Sequence, residues 1–182
     1  GSRWWALFAA TRIAADEGVE FIIDITKSKL AQEKLRESEE RFRTIADSSP
    51  VMIWVTDDAG RIEFVNRSYL DFFGITRARA AQLEWSEIVH SDDREYLKAF
   101  SAALRDRQPL HARARVKRHD HQWRWIESRG NPRLGPAGEV TGYVGSSADI
   151  TELIKSQEAM READRRKDEF LATLAHELRN PL

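Results

Sequence analysis

A short pattern that occurs twice sets most of what this chain can fold into. Arg3-Trp4-Trp5 followed by Asp24-Ile25-Thr26 returns as Arg124-Trp125-Ile126 followed by Asp149-Ile150-Thr151. In each copy a strand-like run passes a turn, Ala15-Asp16-Glu17-Gly18 or Gly135-Pro136-Ala137-Gly138, into a second strand-like run that ends on the Asp-Ile-Thr. Each copy then runs straight into a charged, helix-patterned segment. The expected unit is a hairpin that feeds a helix. Residues 1–26 read as the closing hairpin of a preceding domain whose start is cut away.

Between the first helix and the second copy lies a segment of domain size. Over residues 27–46, Ala31, Leu35, Ser38, Phe42 and Ile45 recur at spacings of four and three, the rhythm of a coiled-coil linker with a weak seam. Ser48-Ser49-Pro50 closes it. Strand-like runs follow at Val51–Thr56 and Arg61–Asn66, joined by the turn residues Asp57-Asp58-Ala59-Gly60. Residues 67–108 are mostly helix-patterned: a short apolar helix stops at Gly74, and Ser91-Asp92-Asp93 supply caps for a longer one carrying Tyr96, Leu97, Phe100 and Leu104. Strand-like runs near 111–118, 122–129 and 139–149 complete residues 47–150. Two strands, several helices and three more strands predict an α+β fold, a five-stranded antiparallel sheet with short helices on one face.

Composition removes several functional classes. With 29 Lys plus Arg against 30 Asp plus Glu, nothing favours nucleic acid or an anionic membrane as partner. The absence of cysteine excludes disulfides, thiolate metal sites and a cysteinyl-flavin photocycle, and a reducing, cytoplasmic setting is compatible with it. The apolar run Trp4–Ala10 is far shorter than the roughly 20 residues a membrane span needs, so any anchor of the parent protein lies upstream.

Residues 47–151 resemble a PAS domain. The resemblance rests on Thr56-Asp57-Asp58-Ala59-Gly60-Arg61-Ile62 leading to Val65-Asn66, on Phe73-Gly74, on His90-Ser91-Asp92-Asp93-Arg94, and on Trp123-Arg124-Trp125-Ile126 through Asp149-Ile150-Thr151. The family usually has proline at Ser91 and glycine at His121. Glycine at the latter position implies a turn with positive φ, which His121 can adopt at some cost.

The last thirteen residues, Phe170 to Leu182, resemble the phosphoacceptor box of the dimerisation and phosphotransfer domain of histidine kinases. The heptad reading stands independently of the family. Leu153, Gln157, Met160, Asp164, Lys167, Leu171, Leu174 and Leu178 alternate at four and three, which puts His176 at an f position, away from the seam. Residues 151–168 read as a signalling helix and 169–182 as the start of the phosphoacceptor helix. The resemblance implies His176 as phosphoacceptor, Glu177 as the base or hydrogen-bond partner of its imidazole, and Asn180 as the residue that orients water when the regulator is dephosphorylated. It further implies a parallel homodimer, a response-regulator receiver domain as partner, and ATP bound by a catalytic domain beyond Leu182, so that residues 1–182 alone should lack autokinase activity.

Other features carry blander readings. His90, His111, His119 and His121 read as surface histidines, and Trp54, Trp123 and Trp125 as core or sheet-covering residues. Asp149 followed by Glu152 fits a capping box. Gly138, Gly142 and Gly145 lack dinucleotide-loop spacing. The segment Arg94–Arg105 offers no axial histidine for haem. No cofactor or metal site is identified, and a noncovalent flavin, a small metabolite or an empty pocket all stay open. Beside the kinase reading stand two others: a ligand- or cofactor-binding module, and a ligand-free dimerisation spacer.

Overall fold

The computed structural model describes residues 4–12 and 18–179. The chain divides into two compact units, Gly1–Ser48 and Ser49–Leu182. In the first, strands β1 (Ala6–Arg12) and β2 (Gly18–Asp24) pair antiparallel from Ala6 opposite Asp24 to Arg12 opposite Gly18. Helix α1 (Thr26–Asp47) follows. A two-stranded ribbon cannot bury its own side chains, and Leu7, Phe8, Phe21, Ile22 and Ile23 are all exposed. Along α1, Leu35, Phe42 and Ile45 are exposed as well.

The second unit starts with β3 (Met52–Thr56) and β4 (Ile62–Val65). Four helices come next: α2 (Arg67–Phe73), α3 (Arg77–Ala80), α4 (Trp85–Ile88) and, after a single 3-10 turn at Ser91–Asp93, α5 (Arg94–Asp106). Strands β5 (Leu110–Lys117), β6 (Trp123–Leu134) and β7 (Val140–Asp149) lead into α6 (Thr151–Arg179). All strand pairs are antiparallel, in the order β4-β3-β7-β6-β5. The expected α+β architecture is the observed one.

Alternation along the strands decides which face meets the helices. Met52, Trp54 and Thr56 of β3, Tyr143 and Ser147 of β7, Ile126 and Ser128 of β6, and Leu110, Ala114 and Val116 of β5 are buried. Tyr69, Phe73 and Tyr96 come down on them from α2 and α5. Asn66 ties sheet to helix: its side-chain oxygen accepts from the Ile53 and Tyr69 amides, at 2.9 and 3.2 Å, while its amide group donates to the Val51 carbonyl at 2.9 Å. That makes Asn66 the N-cap of α2. His121 has φ 63°, the backbone that its place in a glycine-favouring turn requires.

Local patterns were overruled at three places. Asp93 does not cap α5, because Arg115 takes its carboxylate through Nε at 2.8 Å and Nη2 at 2.9 Å. Asp149 and Glu152 form no capping box: Asp149 accepts from the Thr151 amide at 3.0 Å, while Glu152 accepts from Arg124 at 3.2 Å. Strand β6 continues past the expected end at 129 to Leu134, with Pro132 opposite Tyr143. Pairing with β5 stops at Gly130, so the missing amide of Pro132 faces a side on which no ladder bond is needed.

Tyr69 is fully buried and its hydroxyl has no protein hydrogen-bond partner. Burial, then the nearby Tyr96, pushes its pKa well above the ordinary tyrosine range. An orphaned hydroxyl of this kind destabilises the fold by about 1–3 kcal/mol. Tyr69→Phe should therefore leave the chain as stable or stabilise it by roughly 1 kcal/mol in urea denaturation. A clear loss of stability would mean that the hydroxyl is satisfied in solution.

Candidate functional site

Trp54 can lie flat on the sheet because its neighbours lack side chains. It stands opposite Gly145 in the register. A Cβ at Gly145 would come within 2.4 Å of the indole and 2.5 Å of the Arg129 carbonyl, and one at Gly130 within 2.7 Å of the indole. These glycines form a cradle. Above the indole, Phe100 of α5 meets it edge-on, with centroids 6.1 Å apart. The remaining space is a cavity of about 20 Å³, lined by Trp54, Thr56, Ile62, Trp85, Tyr96, Leu97 and Phe100.

A buried polar chain passes beneath that cavity. The Trp54 indole N–H donates to the Ser147 hydroxyl at 3.0 Å, Ser147 bonds Ser128 at 2.7 Å, and Ser128 bonds the Tyr96 hydroxyl at 2.9 Å. Burial pushes Tyr96 up to about 12, with the Ser128 bond opposing it. The chain connects α5 and β3 to β6 and β7, the strands that lead to α6. Thr56 also lines the cavity, and its buried hydroxyl has no protein partner.

At the far end of those strands sits a compact joint. The Ile150 amide donates to the Trp125 carbonyl at 2.8 Å, the Trp125 amide to the Thr151 hydroxyl at 2.8 Å, and the Thr151 amide to Asp149 at 3.0 Å. Arg124 bonds Asp149 at 2.9 Å and Glu152 at 3.2 Å, clamping β6 to the first turn of α6. The first unit carries the same backbone arrangement. There the Ile25 amide donates to the Trp5 carbonyl at 2.9 Å, the Trp5 amide to the Thr26 hydroxyl at 2.8 Å, and the Thr26 amide to Asp24 at 2.9 Å. The repeat seen in the sequence is thus a repeat of hydrogen bonds. Its helix, however, begins Thr26-Lys27 where the other begins Thr151-Glu152.

Helix α6 runs unbroken from Thr151 to Arg179 and includes positions 176 and 177 of the expected His176 and Glu177 pair. Asn180 lies outside the described residues. Leu153, Met160, Leu171 and Leu174 are exposed along the helix. Among the described residues, those that line the cavity include none of the expected site residues. Among the described residues no cluster of His, Cys, Asp or Glu is placed to hold a metal, and no helix is long and apolar enough to cross a membrane. His111 bonds Glu127 at 3.1 Å, His119 the Phe72 carbonyl at 3.0 Å, and His90 packs edge-on against Trp123. Ser128, Ser147 and Gly130 carry no mark in the sequence patterns, Thr56 enters them only through the stretch Thr56 to Ile62, and Gly145 only as one of three glycines without dinucleotide-loop spacing. Glycine and serine in the middle of buried strands were the available signal.

A sequence profile for the PAS fold matches residues 46–155, more than half of the chain. The chain belongs to the PAS-fold family. Similar proteins include y4lL of Sinorhizobium fredii, 38% identical over 157 residues, covering 84% of this chain and 19% of that protein. The virulence sensor protein BvgS of Bordetella pertussis is 30% identical over 178 residues, covering 87% of this chain and 14% of BvgS. This chain thus spans a fifth or less of these relatives' length. Among solved structures, a sensory box histidine kinase/response regulator from Burkholderia thailandensis matches at TM-score 0.52 and 25% identity, covering 71% of this chain and 98% of that one. The PAS domain is therefore related to the sensor domains of histidine kinases.

The ion pairs of this PAS domain set its acid stability. Arg115 holds Asp93 below the usual carboxylate range, and His111 followed by Arg113 holds Glu127 at about 2. Burial works to raise Asp149, but the bonds from Thr151 and Arg124 outweigh it and leave it lowered. Such groups contribute stability that is complete above their unfolded values, near pH 4, and is lost as pH falls through the lower folded values. The urea midpoint should hold from pH 7 to about 5 and fall steeply below about 4. Arg124→Ala should shrink that fall; a profile identical to wild type would remove Arg124 from the account.

Proposed function

We propose that this chain is the sensory and relay part of a two-component sensor histidine kinase. The PAS domain controls autophosphorylation of His176 by ATP, bound on a separate catalytic domain, and the phosphoryl group then passes to an aspartate on a response-regulator receiver domain. One observation carries the reading: the hydrogen-bond chain from Trp54 and Tyr96 in the cavity wall runs into Ser147 and Ser128 on β7 and β6, those two strands meet in a clamped joint, and a single unbroken helix leads from that joint through position 176. A change in the cavity that shifts Tyr96, Ser128 or Ser147 moves β6 or β7, and with them the direction in which α6 leaves the sheet.

The exposed apolar residues of α6 supply the seam of a parallel homodimer, in which the f position of His176 faces away from the partner helix. Glu177 acts as hydrogen-bond partner or base for the imidazole, and Asn180 orients water in the reverse reaction. The hairpin and α1 serve as the output end of a preceding PAS-like domain, with residues 27–46 as its coiled-coil linker. A cytoplasmic setting suits such a relay.

Solved neighbours of this fold include a LOV domain from a blue-light activated histidine kinase. Flavin suits this chain poorly as it stands. No cysteine is present to form an adduct, and drug-sized ligands occupy pockets of about 300 Å³ or more where this cavity has about 20 Å³. A noncovalent flavin would require Trp54 to leave its cradle.

The test uses the protein joined to its catalytic domain. His176→Gln should abolish incorporation of acid-labile phosphate from ATP while the PAS domain unfolds at the wild-type temperature. Undiminished phosphate in that variant would end the assignment.

A further inference from the structure

The cavity between the helices and the sheet has a chemistry of its own. Its lining includes four aromatic residues, Trp54, Trp85, Tyr96 and Phe100, two aliphatic ones, Ile62 and Leu97, and Thr56. None of these can carry a charge at neutral pH, so an ionic guest would be desolvated with no counter-charge beside it. The polar atoms of Trp54 and Tyr96 are already engaged with Ser147 and Ser128. The Thr56 hydroxyl is not. Thr56 is 1% exposed and its oxygen has no protein partner.

We propose that this cavity binds a small uncharged aromatic molecule of one ring that carries a single hydroxyl or equivalent group, held by the Thr56 hydroxyl and packed between Trp54, Trp85 and Phe100. The inference rests on the sensor reading given above and supplies the ligand class for it. Size sets the upper limit. The cavity of about 20 Å³ exceeds the roughly 10–15 Å³ needed by one water. A ring is larger than this space, so its entry requires Leu97 and Phe100, part-buried side chains of α5, to turn to new rotamers. A fused three-ring system needs Trp54 itself to move, and the Ser147 bond and the two glycines hold it in place. Aromatic walls favour an aromatic guest through edge-to-face contacts. The single uncommitted hydroxyl favours one polar group on it, because a guest without one leaves Thr56 orphaned.

The probes are phenol, toluene, benzoate and FMN, titrated into the 182-residue chain and followed by tryptophan fluorescence and thermal unfolding. Phenol should bind saturably and raise the Tm, toluene more weakly, and benzoate and FMN not at all. Thr56→Val, which keeps the shape of the side chain on β3, should raise the Tm of the free protein and weaken phenol about fivefold, the loss of one neutral hydrogen bond, to the level of toluene. Thr56→Ser keeps the hydroxyl and should retain the preference for phenol. The proposal is overturned if phenol does not bind saturably, if benzoate or FMN binds as well as phenol, or if Thr56→Val leaves phenol affinity unchanged. These readouts need no kinase activity. A ligand that binds as described but leaves His176 phosphorylation unaltered in the longer protein would overturn the relay reading alone.

Discussion

The seating of the Trp54 indole on a glycine-floored stretch of sheet is the contact on which the second unit depends. Without Gly130 and Gly145 the ring would have to stand away from the strands, and Phe100 and α5 would lose their place above it. With the ring flat, its N–H reaches Ser147, and that bond begins the polar chain to Ser128 and Tyr96. Helix layer and sheet are thereby joined by packing and by directional bonds together. The small residues also explain why the interior is not filled: a core of leucines on β6 and β7 would leave neither cavity nor polar chain.

Much of this was legible from the amino acids, for reasons that can be named. The duplicated hairpin and Asp-Ile-Thr were visible because the same two side-chain bonds recur in both copies: Thr to the tryptophan amide across the hairpin, Asp to the threonine amide two residues on. Helix endings at Gly74 and the turn at His121 followed from backbone chemistry. What escaped was set by distant partners. Asp93 and Glu152 look like helix caps in sequence, but Arg115 and Arg124, far along the chain, offer charge-assisted bonds that outcompete a cap. Pro132 hid the far half of β6, since no local rule says that the neighbouring strand ends first.

The cavity was hidden for a different reason. Its walls are apolar residues that any core would use, and periodicity cannot separate a wall from a filling. The residues that distinguish it and the polar chain bonded to its wall, Thr56, Ser128 and Ser147, are small and polar, the residue types least marked in a strand pattern. The stretch that resembles a phosphoacceptor box is the opposite case: its residues are marked in sequence, whereas the cavity and the clamp emerge only from the pairing of strands.

The clamp at Arg124, Asp149 and Glu152 also sets a phase. Because the first turn of α6 is pinned to β6, every later residue of that helix leaves the sheet at a rotation determined by its distance from Thr151, about 100° per residue. The stretch between Thr151 and position 176 therefore acts as a ruler as well as a connector. Natural length variation in such a linker would be confined to whole heptads, which return the downstream face to nearly the same bearing. Any other insertion would turn the later residues of the helix relative to the sheet while leaving the sheet itself intact.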